Sequence, residues 1–222
     1  MDAKTIHQQS EQARENGDFE KALELADRAE KAYESESDQT GVAEVYASRS
    51  ITYRLNGDLT KAKEVATKGV EIAKASGKKE TLAIPLFNLA KVQEELGEVN
   101  EAVNSYKQAF DNITQNPPKE HNRPATIADM KLRLAIAQYK TGDMSALVRA
   151  QGALADLESA EEDKYNKDVW LAGAHMHMAE MLKENDIDSA REHLERAKEI
   201  INANPDLKIR KEQLEKLSAG FS

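Results

Sequence analysis

The 222-residue sequence contains no cysteine, which excludes disulfide bonds, thiolate nucleophiles and cysteine-ligated zinc. It has only 5 prolines and 10 glycines, too few for a low-complexity or collagen-like chain. Long apolar runs are also missing, since no stretch approaches the roughly 18 apolar residues of a membrane-spanning helix. The first residues, MDAKTIHQQSEQ, lack the apolar segment of a secretory signal peptide. We therefore expect a cytoplasmic protein without a membrane partner.

Basic residues are in deficit. The chain has 31 Lys and Arg against 40 Asp and Glu, which gives a formal net charge of −9. Binding to nucleic-acid phosphates or anionic lipid requires a concentrated basic surface, and this balance disfavours one. We therefore expect no nucleic-acid partner. Hydrophobic residues make up 40% of the chain and charged residues 32%, which is typical of a soluble, folded protein.

A short motif occurs five times, at intervals of 40, 40, 45 and 43 residues. Gly and Asn most readily adopt the left-handed backbone that ends a helix, and a following acidic residue can cap the next helix and meet its positive dipole end. The motif therefore predicts the corner of a helical hairpin, with helix A before it and helix B after it. The five copies are Gly17-Asp18-Phe19, Gly57-Asp58-Leu59, Gly97-Glu98-Val99, Gly142-Asp143-Met144 and Asn185-Asp186-Ile187.

Small residues occur at fixed distances from these corners, and they let helices A and B approach closely. In repeat four Leu147 and Leu154 break this pattern, as Met178 does in repeat five, so we expect wider packing or a one-residue slip there. The positions seven before, five after and twelve after each corner are Ser10, Ser50, Ala90, Ala135 and Met178; Ala22, Ala62, Ala102, Leu147 and Ala190; and Ala29, Gly69, Ala109, Leu154 and Ala197.

The segment LFNLAKVQEELGEVNEAVNSYKQAF, residues 86–110, resembles the tetratricopeptide repeat family in its small residues, its Gly-Glu corner and its paired alanines. The unit of 40 to 45 residues is similar to the longer-helix variants of that family, such as the peptide-binding arrays of kinesin light chain and some bacterial regulators. The resemblance implies an all-α fold, a right-handed superhelical α-solenoid of about five hairpins plus a C-terminal capping helix. It also implies a non-enzymatic scaffold or adaptor that binds a protein or peptide.

We expect one repeat domain over residues 1–222, with repeats at about 1–37, 38–77, 78–116, 122–160 and 161–204 and a capping helix at 205–219. The proline-rich segment 115–126 is expected to be a loop within the array. The first helix offers only Ile6 and a few alanines, so it should bury little, and its removal should cost little. The predicted helices are 2–15, 18–35, 39–55, 58–75, 79–95, 98–114, 124–140, 143–158, 162–184, 186–202 and 206–218.

The sequence shows no recognisable catalytic or metal-binding motif. The nearest pattern is His175-x-His177-x-x-Glu180, in which only His177 and Glu180 share a helix face, and two ligands are too few for a metal. The acidic segment 158–163 is interpreted as a solvated linker that leads into the next helix. We therefore expect no cofactor, no metal and no enzymatic activity.

A partner is expected on the exposed side of the A helices, which line the concave face of such arrays. Positions 13, 10, 9, 6, 3 and 2 residues before each corner lie on that side. Their basic and apolar residues predict a groove for an apolar peptide that carries an acidic group. For any single residue, packing between repeats or plain solvent exposure is the favoured reading, whereas for the set as a whole binding is favoured. The predicted residues are Ile51, Arg54, Phe87, Asn88, Lys91, Leu132, Arg133, Ile136, Tyr139 and Lys140.

Asn88 and Arg133 each lie nine residues before a corner, in adjacent repeats. Some tetratricopeptide arrays hold the terminal carboxylate of a peptide with Asn and Lys or Arg at such positions. A complete clamp is not expected here, because Ala47, Ile51 and Asp129 stand where it would need Lys, Asn and Lys. The hypothesis that remains is that Asn88 bonds a ligand backbone and Arg133 pairs with an acidic group.

Other functions stay open. A binding adaptor would be a monomer or weak homodimer with an open groove. A self-assembling structural subunit would fill the groove or an end surface with another copy of itself. A sensory module of a regulatory system would resemble the adaptor. An enzyme is disfavoured, because the sequence shows no catalytic constellation.

Overall fold

The computed structural model describes residues 1–119 and 121–221, and these residues contain helices and no strand. None of the described helices combines the length and the apolarity needed to cross a bilayer. Single turns of 3-10 helix, Lys79–Thr81 and Ala219–Phe221, precede α5 and follow α11. The α-helices are α1 (Ala3–Glu15), α2 (Phe19–Ser35), α3 (Gln39–Leu55), α4 (Leu59–Ala75), α5 (Ala83–Glu95), α6 (Val99–Gln115), α7 (Pro124–Lys140), α8 (Ala146–Ser159), α9 (Lys164–Leu182), α10 (Ile187–Ala203) and α11 (Lys208–Ser218).

The helices pack as the predicted hairpins: α1 with α2, α3 with α4, α5 with α6, α7 with α8, and α9 with α10, followed by α11. Backbone contacts divide the chain into two compact units, Met1–His121 and Asn122–Ser222, with the boundary in the proline-rich loop. The first unit holds α1 to α6 and the second holds α7 to α11. The all-α hairpin fold is confirmed, and the organisation of residues 1–222 as one domain stays a prediction.

Glycine forms the corner of four hairpins. At all four, the N–H of the acidic residue bonds to the carbonyl five residues earlier, as from Asp18 to Ala13 at 2.9 Å, which satisfies a carbonyl that the helix end leaves free. The left-handed glycine corner is therefore confirmed. The φ angles of Gly17, Gly57, Gly97 and Gly142 are +81°, +85°, +79° and +97°.

The fifth corner differs from the prediction. Among the described non-glycine residues only Ser37, which follows α2, has a positive φ, at +57°, so Asn185 is not left-handed. The N–H groups of Asn185 and Asp186 both bond to the carbonyl of Leu182, at 3.0 and 2.7 Å. The Asn185 side chain donates to the Tyr139 hydroxyl at 2.7 Å. Asn185 therefore links this corner to α7 by a side-chain hydrogen bond.

Acidic residues cap only three of the five B helices. Asp18, Asp58 and Asp186 each accept a hydrogen bond from the backbone N–H three residues later. The prediction is wrong for Glu98, because its longer side chain accepts a bond from Lys63 Nζ of α4 at 2.6 Å instead. It is also wrong for Asp143, which accepts from the Ser145 N–H at 3.1 Å and precedes α8 by three residues.

Repeat four shows the one-residue slip that its leucines suggested. Ala146 and Ala153 are 0% and 3% exposed, and each lies one residue before the leucine that broke the small-residue pattern. The small residues thus keep their place at the helix contact, and α8 is rotated to put them there.

The expectation that the first helix buries little is wrong. Ala3, Ile6 and Ala13 of α1 lie in the apolar core of the first unit. Polar residues of α1 are buried as well: Ser10 Oγ donates to the Ala22 carbonyl at 2.7 Å, and Arg14 Nη1 donates to Ser48 Oγ at 2.8 Å. A count of apolar residues misses these, because their polar groups are satisfied by partners on α2 and α3.

Candidate functional site

The two histidines of the repeat-five pattern make contacts on different sides of α9. No group of three or more metal-binding side chains occurs in the part of the chain that the structure describes. His177 Nδ1 lies 3.4 Å from Glu180 Oε2, as their shared helix face predicted. His175 faces another direction, and its Nδ1 lies 2.9 Å from Nδ1 of His193 on α10.

The acidic segment 158–163 is not a solvated linker throughout. The Glu162 side chain is only 6% exposed, and it accepts a hydrogen bond from Arg123 Nη1 at 2.9 Å. The Arg123 guanidinium lies 5.3 Å from the ring centre of Trp170. Asp163 caps α9 by accepting a bond from the Asn166 N–H at 3.0 Å, as expected of an acid at a helix start.

In the first unit, α3 and α5 carry matching residues on the side of each helix that the corner positions predicted. α3 and α5 pack directly against each other, so these residues lie side by side. Ser48 and Asn88 are 4% and 5% exposed, whereas the residues one and two turns later are partly or fully exposed. We call these six residues the inner stripe: Ser48, Ile51 and Leu55 on α3, and Asn88, Lys91 and Glu95 on α5.

Charged side chains along the inner stripe already have partners within the unit. Arg54 Nη1 donates to Glu95 Oε1, an ion pair that joins α3 to α5. Lys91 Nζ lies 4.0 Å from the ring centre of Phe87. The Phe87 ring is 5% exposed and lies 5.5 Å from the ring of Tyr106 on α6, so Phe87 belongs to the packing between α5 and α6.

Asn88 is the polar group of the inner stripe that lacks a partner in the described chain. Its side chain makes no hydrogen bond to any described residue, although Asn88 is only 5% exposed. Its amide atoms are not fully enclosed and can be reached from the surface. A carboxamide in this situation offers one donor group and one acceptor at the surface.

A second polar connection in the first unit, through Arg14, was not predicted from the sequence. Arg14 and Arg54 occupy the same place, three residues before successive corners, and that repetition was the available signal. Arg14 is 7% exposed and bonds to Ser48 and to Glu15 Oε1, the latter at 3.1 Å. Nearby, burial lowers the pKa of His7 against the raising effect of two glutamates, and the charge of Arg14 adds a smaller lowering effect.

The predicted residues of the second unit lie on α7. Leu132 and Ile136 are completely buried, and Tyr139 belongs to the same apolar cluster. Arg133 is 9% exposed, with its Nε 4.0 Å from Asp129 Oδ1 on the same helix, and Lys140 is exposed at the helix end. The structure therefore places three of these five side chains in the core of the second unit.

The comparisons with known proteins bear on the fold and on repeats two and three. The tetratricopeptide repeat model matches residues 43–76 and 85–113, which include the helices that carry the inner stripe. This match confirms the predicted resemblance at these repeats. A comparison with curated protein sequences found no significant match.

Several solved structures share the fold. BtubC (BKLC) from P. vanneervenii is 22% identical with a TM-score of 0.66, covering 90% of this chain and 80% of that one. A protein described as a kinesin light chain with nearly identical TPR-like repeats, from Podosopora anserina, is 17% identical with a TM-score of 0.58, over 90% and 96% of the two chains. A Rap protein complexed with competence and sporulation factor is 13% identical with a TM-score of 0.63, over 99% and 64%. At these identities the likeness shows a common helical-hairpin fold.

Proposed function

We propose that this chain is a non-enzymatic scaffold or adaptor that binds an extended segment of a protein or peptide along the inner stripe of the first unit. The observation that carries the proposal is the Asn88 carboxamide, which is almost buried and makes no hydrogen bond to any described residue. Its amide atoms reach the surface, so solvent can bond them in the free protein. A ligand that replaces that solvent with a direct hydrogen bond gains roughly 0.5–1.5 kcal/mol.

A peptide backbone is the chemistry that fits this carboxamide. One peptide unit presents a C=O and an N–H, which match the NH₂ donor and the oxygen acceptor of Asn88. On α3 the neighbouring Ile51 and Leu55 are partly exposed, so they offer an apolar surface to a ligand side chain next to that backbone contact. Backbone bonding combined with apolar side-chain contact is the usual way in which an extended segment is held.

The structural neighbours support a binding role without naming the partner. One of them, the Rap protein, was solved in a complex with competence and sporulation factor. The same inner stripe would serve an adaptor or a sensory module, because both act by binding a segment of another molecule.

Two experiments in sequence test the proposal. A photo-crosslinking amino acid placed at Lys91 on the inner stripe should capture a partner from native extract. The same amino acid at Lys107, which is exposed on α6, should not. Peptides derived from the captured partner would then be titrated against the parent protein by calorimetry.

Asparagine variants supply the matched comparison. Asn88→Ala should weaken binding of the captured peptide by roughly 1–3 kcal/mol, the usual cost of losing a hydrogen bond that leaves its partner unpaired. Asn104→Ala, which changes the same side chain at an exposed place on α6, should bind as the parent does. Equal affinity of both variants, with unchanged helical circular dichroism, would remove the inner stripe from consideration.

A further inference from the structure

Two histidines in the second unit are arranged as a hydrogen-bonded imidazole pair. His175 on α9 and His193 on α10 have their Nδ1 atoms 2.9 Å apart and their ring centres 5.2 Å apart. The distance between the ring centres exceeds the distance between the nitrogens by the sum of the two ring radii. Both nitrogens therefore lie on the line that joins the ring centres. Each lone pair therefore faces the other nitrogen, which is the geometry of an N–H···N bond and not of two ligands converging on a metal.

This bond requires one proton between the two nitrogens. One ring must donate from Nδ1 and the other must accept at Nδ1, since two N–H groups or two lone pairs at 2.9 Å repel. Glu158 of α8 favours one of the two arrangements, because its Oε1 lies 3.7 Å from His175 Nε2, beyond hydrogen-bond range but close enough to attract a proton there. A proton on His175 Nε2 faces that carboxylate and leaves His175 Nδ1 as the acceptor. His193 is then the donor.

We propose that this pair makes the α9–α10 hairpin open in acid, because the pair can take up one proton without breaking but not two. The first added proton goes to Nε2 of His193, which leaves the bridging bond in place and makes its donor stronger. The second must go to His175 Nδ1, where the bridging proton already points. The helices must then part at this contact.

The surroundings of the pair oppose that second proton. The His175 side chain is 6% exposed. Burial, then the charges of His193 and Arg196, lower the pKa of His175 to about 4. Burial also lowers the pKa of His193, against the raising effect of Glu192 and Glu158.

Three basic side chains on α7 and α11 have partners of their own. On α11, Arg210 donates to the Val169 carbonyl at 2.9 Å. On α7, Lys131 pairs with Asp156 at 3.0 Å, and Arg133 lies against Asp129. Glu158 is therefore the carboxylate placed to compensate a charge on His175, and its side chain is half exposed and screened by solvent.

The sign of the pH effect follows from these pKa directions. A histidine with a lowered pKa in the folded state binds fewer protons than it does in the unfolded chain. Acidification through the interval from its ordinary pKa of 6.5 to about 4 therefore favours opening. The apolar cluster beyond the pair, which includes Met176, Ala197, Ile201 and Leu214, holds α9, α10 and α11 together and would be exposed by opening.

The test uses the full chain and its single tryptophan, Trp170, which lies on α9. Urea unfolding would be followed by Trp170 fluorescence at several pH values for the parent, His175→Asn and His177→Asn. Asn keeps a hydrogen-bonding group near the Nδ1 position but cannot take up a proton. His177, which lies on the same helix beside Glu180, is the matched control.

Between about pH 6 and about pH 5, the unfolding equilibrium constant of the parent should rise roughly tenfold more than that of His175→Asn, as expected for one proton excluded from the folded state. His177→Asn should follow the parent. Equal pH dependence of the parent and His175→Asn would overturn the proposal.

A measurement on the unaltered protein covers the case in which His175→Asn fails to fold. Nitrogen-15 chemical shifts at neutral pH should show the proton of His175 on Nε2 and that of His193 on Nδ1. If both rings carry their proton on Nε2, no bridging proton exists, and the proposal fails.

Discussion

Substituting two helical glycines by alanine should change stability in opposite directions. Gly41, the third residue of α3, lies under the ring of Tyr33 from α2, and a Cβ added there would lie 2.2, 2.4 and 2.6 Å from three atoms of that ring. The Tyr33 ring is 7% exposed and meets the His7 ring edge-on at a centroid distance of 6.2 Å. The ring therefore has no free space into which it can retreat. Gly152, within α8, is exposed, and an added Cβ would have no neighbour within 4 Å.

The magnitudes follow from two opposing terms. Alanine is favoured over glycine by about 1 kcal/mol in a helix interior, where Gly152 lies, and by less in the first turn, where Gly41 lies. At Gly41 it is opposed by overpacking, which costs typically 1–3 kcal/mol and falls at the upper end for contacts this short. Gly41→Ala should therefore lower the free energy of unfolding by about 1–2 kcal/mol, and Gly152→Ala should raise it by about 0.5–1 kcal/mol.

Urea unfolding followed by helical circular dichroism measures both changes on the same chain. A double substitution isolates the cause: in a Tyr33→Ala background the ring is gone, so Gly41→Ala should become stabilising like Gly152→Ala. If Gly41→Ala does not destabilise the parent protein, or if its cost is the same without the ring, then the contact between Gly41 and Tyr33 does not set the approach of α2 to α3.

Two further outcomes are expected. Ending the chain after Ser159 removes α9 to α11 and exposes Tyr139, Leu154 and Leu157, which belong to the apolar cluster that these helices help to form. The melting temperature should therefore fall, and light scattering should show association. An unchanged melting temperature together with a monodisperse monomer would contradict this. Arg49 Nη2 lies 2.9 Å from Asp27 Oδ1 and 2.7 Å from Glu30 Oε2, and Arg49→Ala removes both ion pairs. Because the two acids are partly exposed, the free energy of unfolding should fall by about 2–3 kcal/mol, near or below the lower end of the range for breaking a buried pair. Burial raises the pKa of Glu30, but the hydrogen bonds from Arg49 and Tyr46 outweigh that effect, so the pKa is lowered overall. The resulting stabilisation is complete above the ordinary pKa of 4.5 and is lost on acidification. Arg49→Ala should therefore weaken the pH dependence of the free energy of unfolding below that pH.

Corners were the part of the fold most accessible from sequence, because a left-handed glycine is a local requirement of the backbone. Gly17, Gly57 and Gly97 met it as predicted. Ser37 adopts the same conformation and was not foreseen, since serine has no preference for positive φ and is held there by the turn between α2 and α3. Asn185 shows the reverse case, in which a suitable residue is used for a tertiary hydrogen bond to Tyr139 instead.

Burial of polar groups was the part least accessible from sequence. Arg14 and His7 are residue types that usually lie on the solvated face of a helix, yet they are only 7% and 8% exposed. Their burial depends on Ser48 and Tyr33, which come from helices further along the chain, and no periodicity within α1 records those partners. The corner spacing predicted Asn88 as a groove residue, but only the structure shows that it is 5% exposed and that its carboxamide has no partner among the described residues.

The ion pair across the inner stripe also changes what the partner is expected to offer. Because Arg54 already pairs with Glu95, an acidic group on a ligand would have to displace that carboxylate, exchanging one partly exposed ion pair for another. Such pairs contribute about 0–1 kcal/mol, so the exchange gains little. Asn88 has no partner to displace among the described residues, so a peptide unit placed on it replaces only solvent. Recognition on this surface should therefore depend on the backbone of the bound segment and on its apolar contact with Ile51 and Leu55 more than on the acidic group that the sequence suggested.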